Sequence, residues 1–259
     1  MENMDRLSLI SIDQIQGVNN ANECEFILDE LRNVEIQNGQ EKVDITGYKG
    51  RKLGSLKRNK TMSITGTNGL LVGGLLAAQV GGEVSEAGTQ TVRMTEIVTV
   101  NSNAATLTGT PIGTSGNELV KVFVKNPNGS LGKAFTQDST ASAGKFSFTT
   151  KTITFNEGEV VDGTEIVCFY DASVNGVKIS NDSEKYSKVL KLYVDCTAQD
   201  TCDRQYHVQF IIPRADFSGE FTFSIGEDPM THGFEAEGLA GGCGKISNYW
   251  DMIVFADEA

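Results

Sequence analysis

The chain has 259 residues, a formal net charge of −12 and 39% hydrophobic residues, a size and apolar content that suit one large or two modest folded domains. Its acidic balance excludes a protein that holds nucleic acid by the phosphates, because such binders concentrate Lys and Arg. The five cysteines are an odd set without a CxxC pair, a pattern that is not typical of a zinc site or a disulfide scaffold. We therefore expect no metal and no cofactor.

The composition and the first part of the chain predict a mainly β protein. Glycine occurs 28 times and proline only 4 times, as in proteins with many strands and turns. Residues 1–22 are assigned to an N-terminal arm. The segment 24–46 alternates apolar and acidic residues around the favoured turn Asn38-Gly39, which predicts a hairpin with strands near 25–37 and 40–46. Its polar face is either an ordinary solvated surface or one kept negative, and the acids concerned are Glu25, Asp29, Glu30 and Glu35.

A basic stretch follows this hairpin. Within twelve residues of a strongly acidic chain it holds six cations: Lys49, Arg51, Lys52, Lys57, Arg58 and Lys60. This density exceeds background, and the stretch is interpreted as a basic loop or strand, for which a merely solvated surface is the plain alternative.

The next segment predicts the single helix of the chain. Residues 61–65 alternate like a strand, and Thr67 or Asn68 supplies a capping oxygen for a helix near 69–80. The pair Gly73-Gly74 inside it costs roughly 1 kcal/mol per glycine relative to alanine, so we expect the helix to pack closely against another backbone. The helix is too short to span a membrane, which needs about 20 apolar residues. The residues expected to pack are Leu71, Gly74 and Leu75.

The rest of the chain divides into a loop-rich middle and a regular end. Asn, Ser, Thr, Gly and Ala dominate much of residues 101–182, which are interpreted as a loop-rich β excursion, and residues 23–100 and 183–259 are interpreted as one β core. The strands near the end alternate strictly. Their expected inward side chains are Leu190, Leu192, Val194, Val208, Phe210 and Ile212.

Catalytic motifs do not occur in the sequence. It contains no GxSxG, Walker loop, HExxH, or GxGxxG after a strand, and it has only two histidines, His207 and His232. We therefore do not expect an enzyme.

Two segments near the ends of the chain carry a resemblance. One is GRKLGSLKRNKTMSITGTNGLLVGGLLAAQVGG, and the other is ADFSGEFTFSIGEDPMTHGFEAEGL. The first resembles the N-terminal part, and the second the closing hairpin, of tail tube (major tail) proteins of long-tailed bacteriophages. The segment between them does not show this resemblance, and it would be an insertion on the outside of the tail.

The resemblance implies a β-sandwich or β-barrel with one flanking helix, whose copies form a continuous inner barrel in a hexameric ring. Stacked rings would make the tail tube of the virion, assembled in the host cytoplasm. The implied partners are other copies of the chain, the tape measure protein, the tail terminator, baseplate or tip proteins, and viral DNA passing through the lumen, with no membrane. The six cations would then contact the next ring, and the four acids would line the lumen.

Other functions stay open at this point. A capsid decoration protein or another head structural protein shares the β-rich character but needs no arm for stacking. A carbohydrate-binding module fits the polar middle segment, although it would normally display a row of exposed aromatics, and the chain has one tryptophan.

Overall fold

A computed structural model describes residues 6–85, 87–223, 230–241 and 247–255, which form sixteen strands and one α-helix. The chain divides into two compact units, the first made of residues 1–84 and 179–259 and the second of residues 85–178. In chain order the elements are β1 (Leu7–Val18), β2 (Cys24–Leu28), β3 (Leu31–Thr46), β4 (Lys52–Asn68), α1 (Gly73–Val80), β5 (Gly88–Thr99), β6 (Ala104–Thr106), β7 (Pro111–Ile112), β8 (Leu119–Lys125), β9 (Leu131–Gln137), β10 (Lys145–Thr149), β11 (Thr152–Phe155), β12 (Glu165–Gly176), β13 (Val189–Asp200), β14 (Gln205–Phe217), β15 (His232–Gly238) and β16 (Asp251–Phe255).

The first unit is built on one eight-stranded sheet. The structure is mainly β, and one of its sheets is curled into a half-barrel. The strand order in the sheet of the first unit is β2-β1-β13-β14-β15-β4-β3, with β16 paired to β14. Residues 7–18 are therefore a strand between β2 and β13, and the assignment of residues 1–22 to an arm is wrong for them. The physical reason is that Ile15 and Val18 are apolar and buried, so the segment belongs to the sheet.

One face of this sheet covers the core of the first unit. The alternation of β13 and β14 predicted this face correctly, because Leu190, Leu192, Val194, Val208, Phe210 and Ile212 are all buried in one cluster. The same cluster also contains Ile64 of β4 and Ile15 of β1. The intervening residues of each strand lie on the opposite face, which we call the polar face.

The hairpin of the first unit turns ten residues later than predicted, at Tyr48 and not at Asn38. β3 runs without interruption through Asn38-Gly39, and it pairs with β4 as far as Thr46 and Lys52. The reversal lies at Tyr48–Gly50 because Lys49 and Gly50 adopt positive φ there, 60° and 71°. Gly39 instead precedes a β-bulge. Gly39 pairs with Thr61, and the register then shifts before the next pair, Glu41 with Arg58.

Helix α1 is shorter than predicted, with eight residues at Gly73–Val80, or about 12 Å at the usual rise. It begins after Val72 without a side-chain cap and ends at Gly81 in the left-handed conformation. Asn68 does not cap it. Its amide side chain accepts from the Glu30 N–H at 3.1 Å and donates to the Leu70 carbonyl at 2.9 Å, which shapes the turn before the helix.

The helix packs on β2 through Gly74. A Cβ at that position would lie 2.1 Å from the Glu25 carbonyl oxygen, so only glycine allows this approach of the two backbones. Leu75 is fully buried. Leu71 precedes the helix and is 53% exposed, so its assignment to the helix packing is wrong. No helix among the described residues is long and apolar enough to cross a membrane.

The second unit has an eight-stranded sheet and a core of its own. The strand order is β5-β12-β8-β9-β10-β11-β6, with β7 paired to β12, and its core includes Phe135, Phe146 and Ile166. This unit begins at Ser85 and includes β5, which the sequence analysis had placed in the core of residues 23–100. The residues interpreted as a loop-rich excursion thus form most of a second β unit.

A carboxylate anchors one turn of the second unit. Glu96 accepts hydrogen bonds from the Thr108 N–H at 2.6 Å, the Gly109 N–H at 3.3 Å and the Tyr170 hydroxyl at 2.8 Å. Burial, together with the hydrogen bond to Glu96, raises the pKa of Tyr170 to about 12. The cluster is therefore a structural contact between β5, β12 and the turn at residues 107–110.

His232 connects β15 to the helix from a buried position. Its Nε2 lies 2.8 Å from Gln79 Oε1, and Gln79 Nε2 donates to the Gly233 carbonyl. The hydrogen therefore sits on Nε2, and Nδ1 is a buried acceptor without a partner in the described structure. Burial lowers the pKa of His232 below its ordinary 6.5.

Replacing Gly74 by alanine should destabilise the first unit, whereas the same change at Gly73 should be tolerated. At Gly74 the new Cβ meets a backbone oxygen, and overpacking of this kind costs typically about 1–3 kcal/mol. At Gly73 the nearest atoms, from Ile179 and Val84, lie 3.5 and 3.6 Å away, which is ordinary contact. Urea unfolding measures both variants. Equal midpoints would contradict the packing of α1 on β2.

The stability of the protein should fall as the pH drops below 6.5, and His232 should cause the fall. Because its folded pKa is lowered, the unfolded chain binds the proton first. The stability is complete above pH 6.5 and is lost as the pH falls towards the folded pKa. Urea midpoints at about pH 7.5 and about pH 5.5, above the main Asp and Glu range, measure the effect.

A variant of the histidine itself tests this assignment. His232→Gln should reduce the pH dependence of the wild type while lowering stability at neutral pH through the lost bond to Gln79. An unchanged pH dependence in His232→Gln would contradict the assignment.

Candidate assembly surfaces

The far half of the β3–β4 hairpin projects as an arm, defined here as residues 41–60. Between residues 40 and 60 every side chain is exposed except at Val43, Gly47 and Gly54, which are partly exposed. From Gly39 to the tip at Tyr48 the extended strand spans about 30 Å. All six cations singled out in the sequence lie on this arm or at its tip.

The arm has two different faces, which the strand register defines. On one face Val43 is paired with Leu56, and Ile45 is paired with Gly54. On the other face Lys42 is paired with Lys57, and Asp44 is paired with Ser55. The exposed apolar side chains of the arm and its tip are Ile45, Tyr48, Leu53 and Leu56, a set that the sequence analysis missed.

Ion pairs within the arm use two of the six predicted cations. Arg58 makes two hydrogen bonds to Glu41, at 3.2 and 2.9 Å, and these together with one from Asn59 hold the pKa of Glu41 below its ordinary value. Lys52 lies 2.6 Å from Asp44. Exposed pairs of this kind add little stability.

The remaining cations of the arm have no carboxylate partner in the described structure. Lys49 lies over the Tyr48 ring at 5.5 Å, and Lys60 lies over the Tyr249 ring at 5.9 Å. Arg51 and Lys57 form no ion pair there, and Lys57 directly faces Lys42 across the hairpin. Like charges in that position destabilise a hairpin. The arm therefore presents positive charge that the described residues of the same chain do not neutralise.

The structure does not bring the four predicted acids together. Glu25 forms an ion pair with Lys188, with 2.9 Å between the carboxylate and the amine. Burial raises the pKa of Glu25, but hydrogen bonds from Lys188 and Asn19 lower it by more. The pKa of Glu25 therefore lies below its ordinary value. Asp29 and Glu30 lie in the turn between β2 and β3. Glu35 is the one that lies on the polar face, because its neighbours Val34 and Ile36 pack on the core.

The polar face carries a ladder of amides around a carboxylate at its centre. Asp195 on β13 accepts from Gln14 on β1 at 3.3 Å and from Gln209 on β14 at 2.8 Å, one bond to each carboxylate oxygen. Beside it, Asp13 accepts from the Thr197 hydroxyl at 2.7 Å. These bonds run across three neighbouring strands, β1, β13 and β14, and hold the side chains to one another on the polar face.

A second group of acids occupies the other half of the polar face. Glu235 on β15 and Glu35 on β3 both pair with Thr65 of the strand between them. Asp216 on β14 pairs directly with Glu237 on β15. Glu235, Asp216 and Glu237 make no ion pair with any described residue, so this half of the face is negative.

Strand alternation gives a sequence signal for the polar face. The odd-numbered residues of β13 and β14, such as Asp195 and Gln209, lie opposite the predicted core residues, so the alternation that predicts the core also predicts this face. The face also carries Lys191 over the Tyr193 ring at 4.4 Å, and His207 stacked on Phe255 at 5.5 Å. Asp13, Asp195, His207 and Phe255 border an open depression of about 460 Å³.

The chain was compared with protein-family profiles and with curated protein sequences. The sequence profile of the YomU/Tube protein family matches residues 14–252, a range that includes the whole second unit, the arm and most of the first unit. A search of curated protein sequences finds no match.

Proposed function

The chain belongs to the YomU/Tube protein family, and from this premise we propose that it is a structural protein of the bacteriophage tail. Its copies form hexameric rings, and the rings stack into the tail tube of the virion. The family match over residues 14–252 carries the proposal. The projecting two-faced arm supports it, because exposed apolar side chains grouped in this way mark a contact site.

The sheet of the first unit has the open edges that ring formation needs. Its strand order ends at β2 and β1 on one side and at β3 on the other. Pairing of β3 with the β1–β2 edge of the next copy would satisfy both edges and extend one sheet around the ring. The arm, which continues β3, would leave this barrel and contact the neighbouring ring.

The polar face suits the lumen of such a tube. Its carboxylates repel the phosphates of DNA within a Debye length of about 8 Å, so a genome would pass without sticking. During assembly the same face would surround the tape measure protein, and the ends of the tube would meet the tail terminator and the baseplate or tip proteins. The acids proposed to face the lumen are Asp195, Glu35, Glu235, Asp216 and Glu237.

Reversing the unpaired charges of the arm should prevent stacking and leave the subunit folded. The variant replaces Lys49, Arg51 and Lys57 with glutamate, because no described carboxylate holds these three. Negative-stain electron microscopy and a sizing run, at low and high protein concentration, show whether rings stack. Circular dichroism checks the fold.

A matched control reverses three exposed cations away from the arm: Lys121, Lys178 and Lys185. The control and the wild type should form stacked rings with an open channel. Normal tubes from the arm variant would contradict the role of the arm, and a wild type without rings at any concentration would contradict the ring proposal.

Making the polar face positive should cause assembled tubes to bind DNA. We would change Glu35, Glu235 and Glu237 to lysine and measure retention of short duplex DNA by sedimented tubes. The control changes three exposed acids off this face, Glu83, Glu157 and Glu184. Only tubes of the polar-face variant should retain DNA, and high salt should release it. Equal retention by the polar-face variant and the control would contradict the proposal that the polar face lines the lumen.

A further inference from the structure

The first unit has an apolar groove at one end of its core. The groove has a volume of about 390 Å³ and opens between β1, β3 and the residues before β16. Its floor includes Phe210 of the core, and its walls are formed by Leu9, Ile10, Val34, Ile36 and Trp250. Leu9 and Ile10 are 55% and 54% exposed at its rim.

The apolar face of the arm also lacks a partner within the described structure. Ile45, Leu53 and Leu56 are 53%, 72% and 55% exposed, although a two-stranded hairpin on its own is at best marginally stable in water. Exposed apolar surface of this extent marks a contact site. The described residues therefore leave two apolar surfaces uncovered, one projecting and one concave.

The arm cannot fill the groove of its own chain. Ile36 in the groove wall and Ile45 on the arm belong to the same extended strand, and nine residues separate them by about 30 Å. The ladder between β3 and β4 continues to Thr46 and Lys52, so the hairpin does not fold back. A groove occupied by an arm must belong to another copy.

Charge favours a second copy as the occupant. Residues 41–60 hold seven cations and two acids, in a chain whose net charge is −12. The rest of each copy is therefore strongly acidic, and the arm is attracted to it at distances of about a Debye length.

We propose that the apolar face of the arm of one copy docks in the groove between β1, β3 and Trp250 of another copy. The proposal rests on the proposed function and names the receptor that the arm finds in the neighbouring ring. The two surfaces differ, so the contact is heterologous and leaves a free groove and a free arm at the ends of every assembly. Such a contact produces an open stack.

The test separates the two halves of the contact. Leu56→Asp damages the arm but leaves the groove, and Ile10→Asp damages the groove but leaves the arm. Each variant alone should need at least about tenfold more protein to stack, as expected for losing the burial of one large side chain. A mixture of the two should form complexes that contain both variants and end after one contact. Val161→Asp, an exposed position in the second unit, is the matched control and should stack like the wild type.

A crosslinking experiment distinguishes failure of this inference from failure of the proposed function. Leu56→Cys and Ile10→Cys are placed in separate chains, with Cys24, Cys202 and Cys243 changed to serine, and treated with a short bismaleimide. Crosslinks between the two variants, above those in either variant alone, are expected. Tubes without such crosslinks would overturn the groove and leave the tube proposal intact, whereas crosslinks without rings would support the groove and contradict the rings.

Discussion

The structure of the first unit depends on burying one face of an eight-stranded sheet while the other face stays polar. Alternation along each strand creates this difference, since successive side chains point to opposite faces. Leu192 and Val194 enter the core, and Asp195 between Val194 and Cys196 faces away from it. The sheet therefore presents one apolar surface to the core and one polar surface away from it.

Helix α1 packs against the core of the first unit, whereas the arm extends away from it. The helix covers part of the core, and Gly74 lets it approach the backbone of β2 more closely than any side chain would permit. The arm leaves the core altogether, because beyond Gly39 no described residue outside the hairpin forms a layer over its apolar face. That face is consequently exposed at the tip, although the same hairpin is an ordinary strand pair at its base.

The features that follow from periodicity could be predicted from the sequence. The positions of single turns, which determine where a strand ends, could not. Strict alternation identified the buried sets on β13 and β14, and the run of small and apolar residues located the helix. Asn38-Gly39 misled the analysis because a favoured turn dipeptide also suits a bulge, and Lys49 took the positive φ that a sequence pattern assigns to glycine or asparagine. The four acids were scattered because a turn and a bulge separate Glu25, Asp29 and Glu30 from Glu35.

The cluster of cations was visible in the sequence, but its apolar companions were not. Leu53 and Leu56 lie between Lys52 and Lys57 and look like ordinary core residues of a strand, and only their exposure in the structure, 72% and 55%, shows that no described residue covers them. The combination changes the physical role of the arm. In the proposed assembly, charge acts over a Debye length and orients the approach of two copies, whereas apolar burial acts on contact and holds them, so one hairpin would supply both the encounter and the attachment.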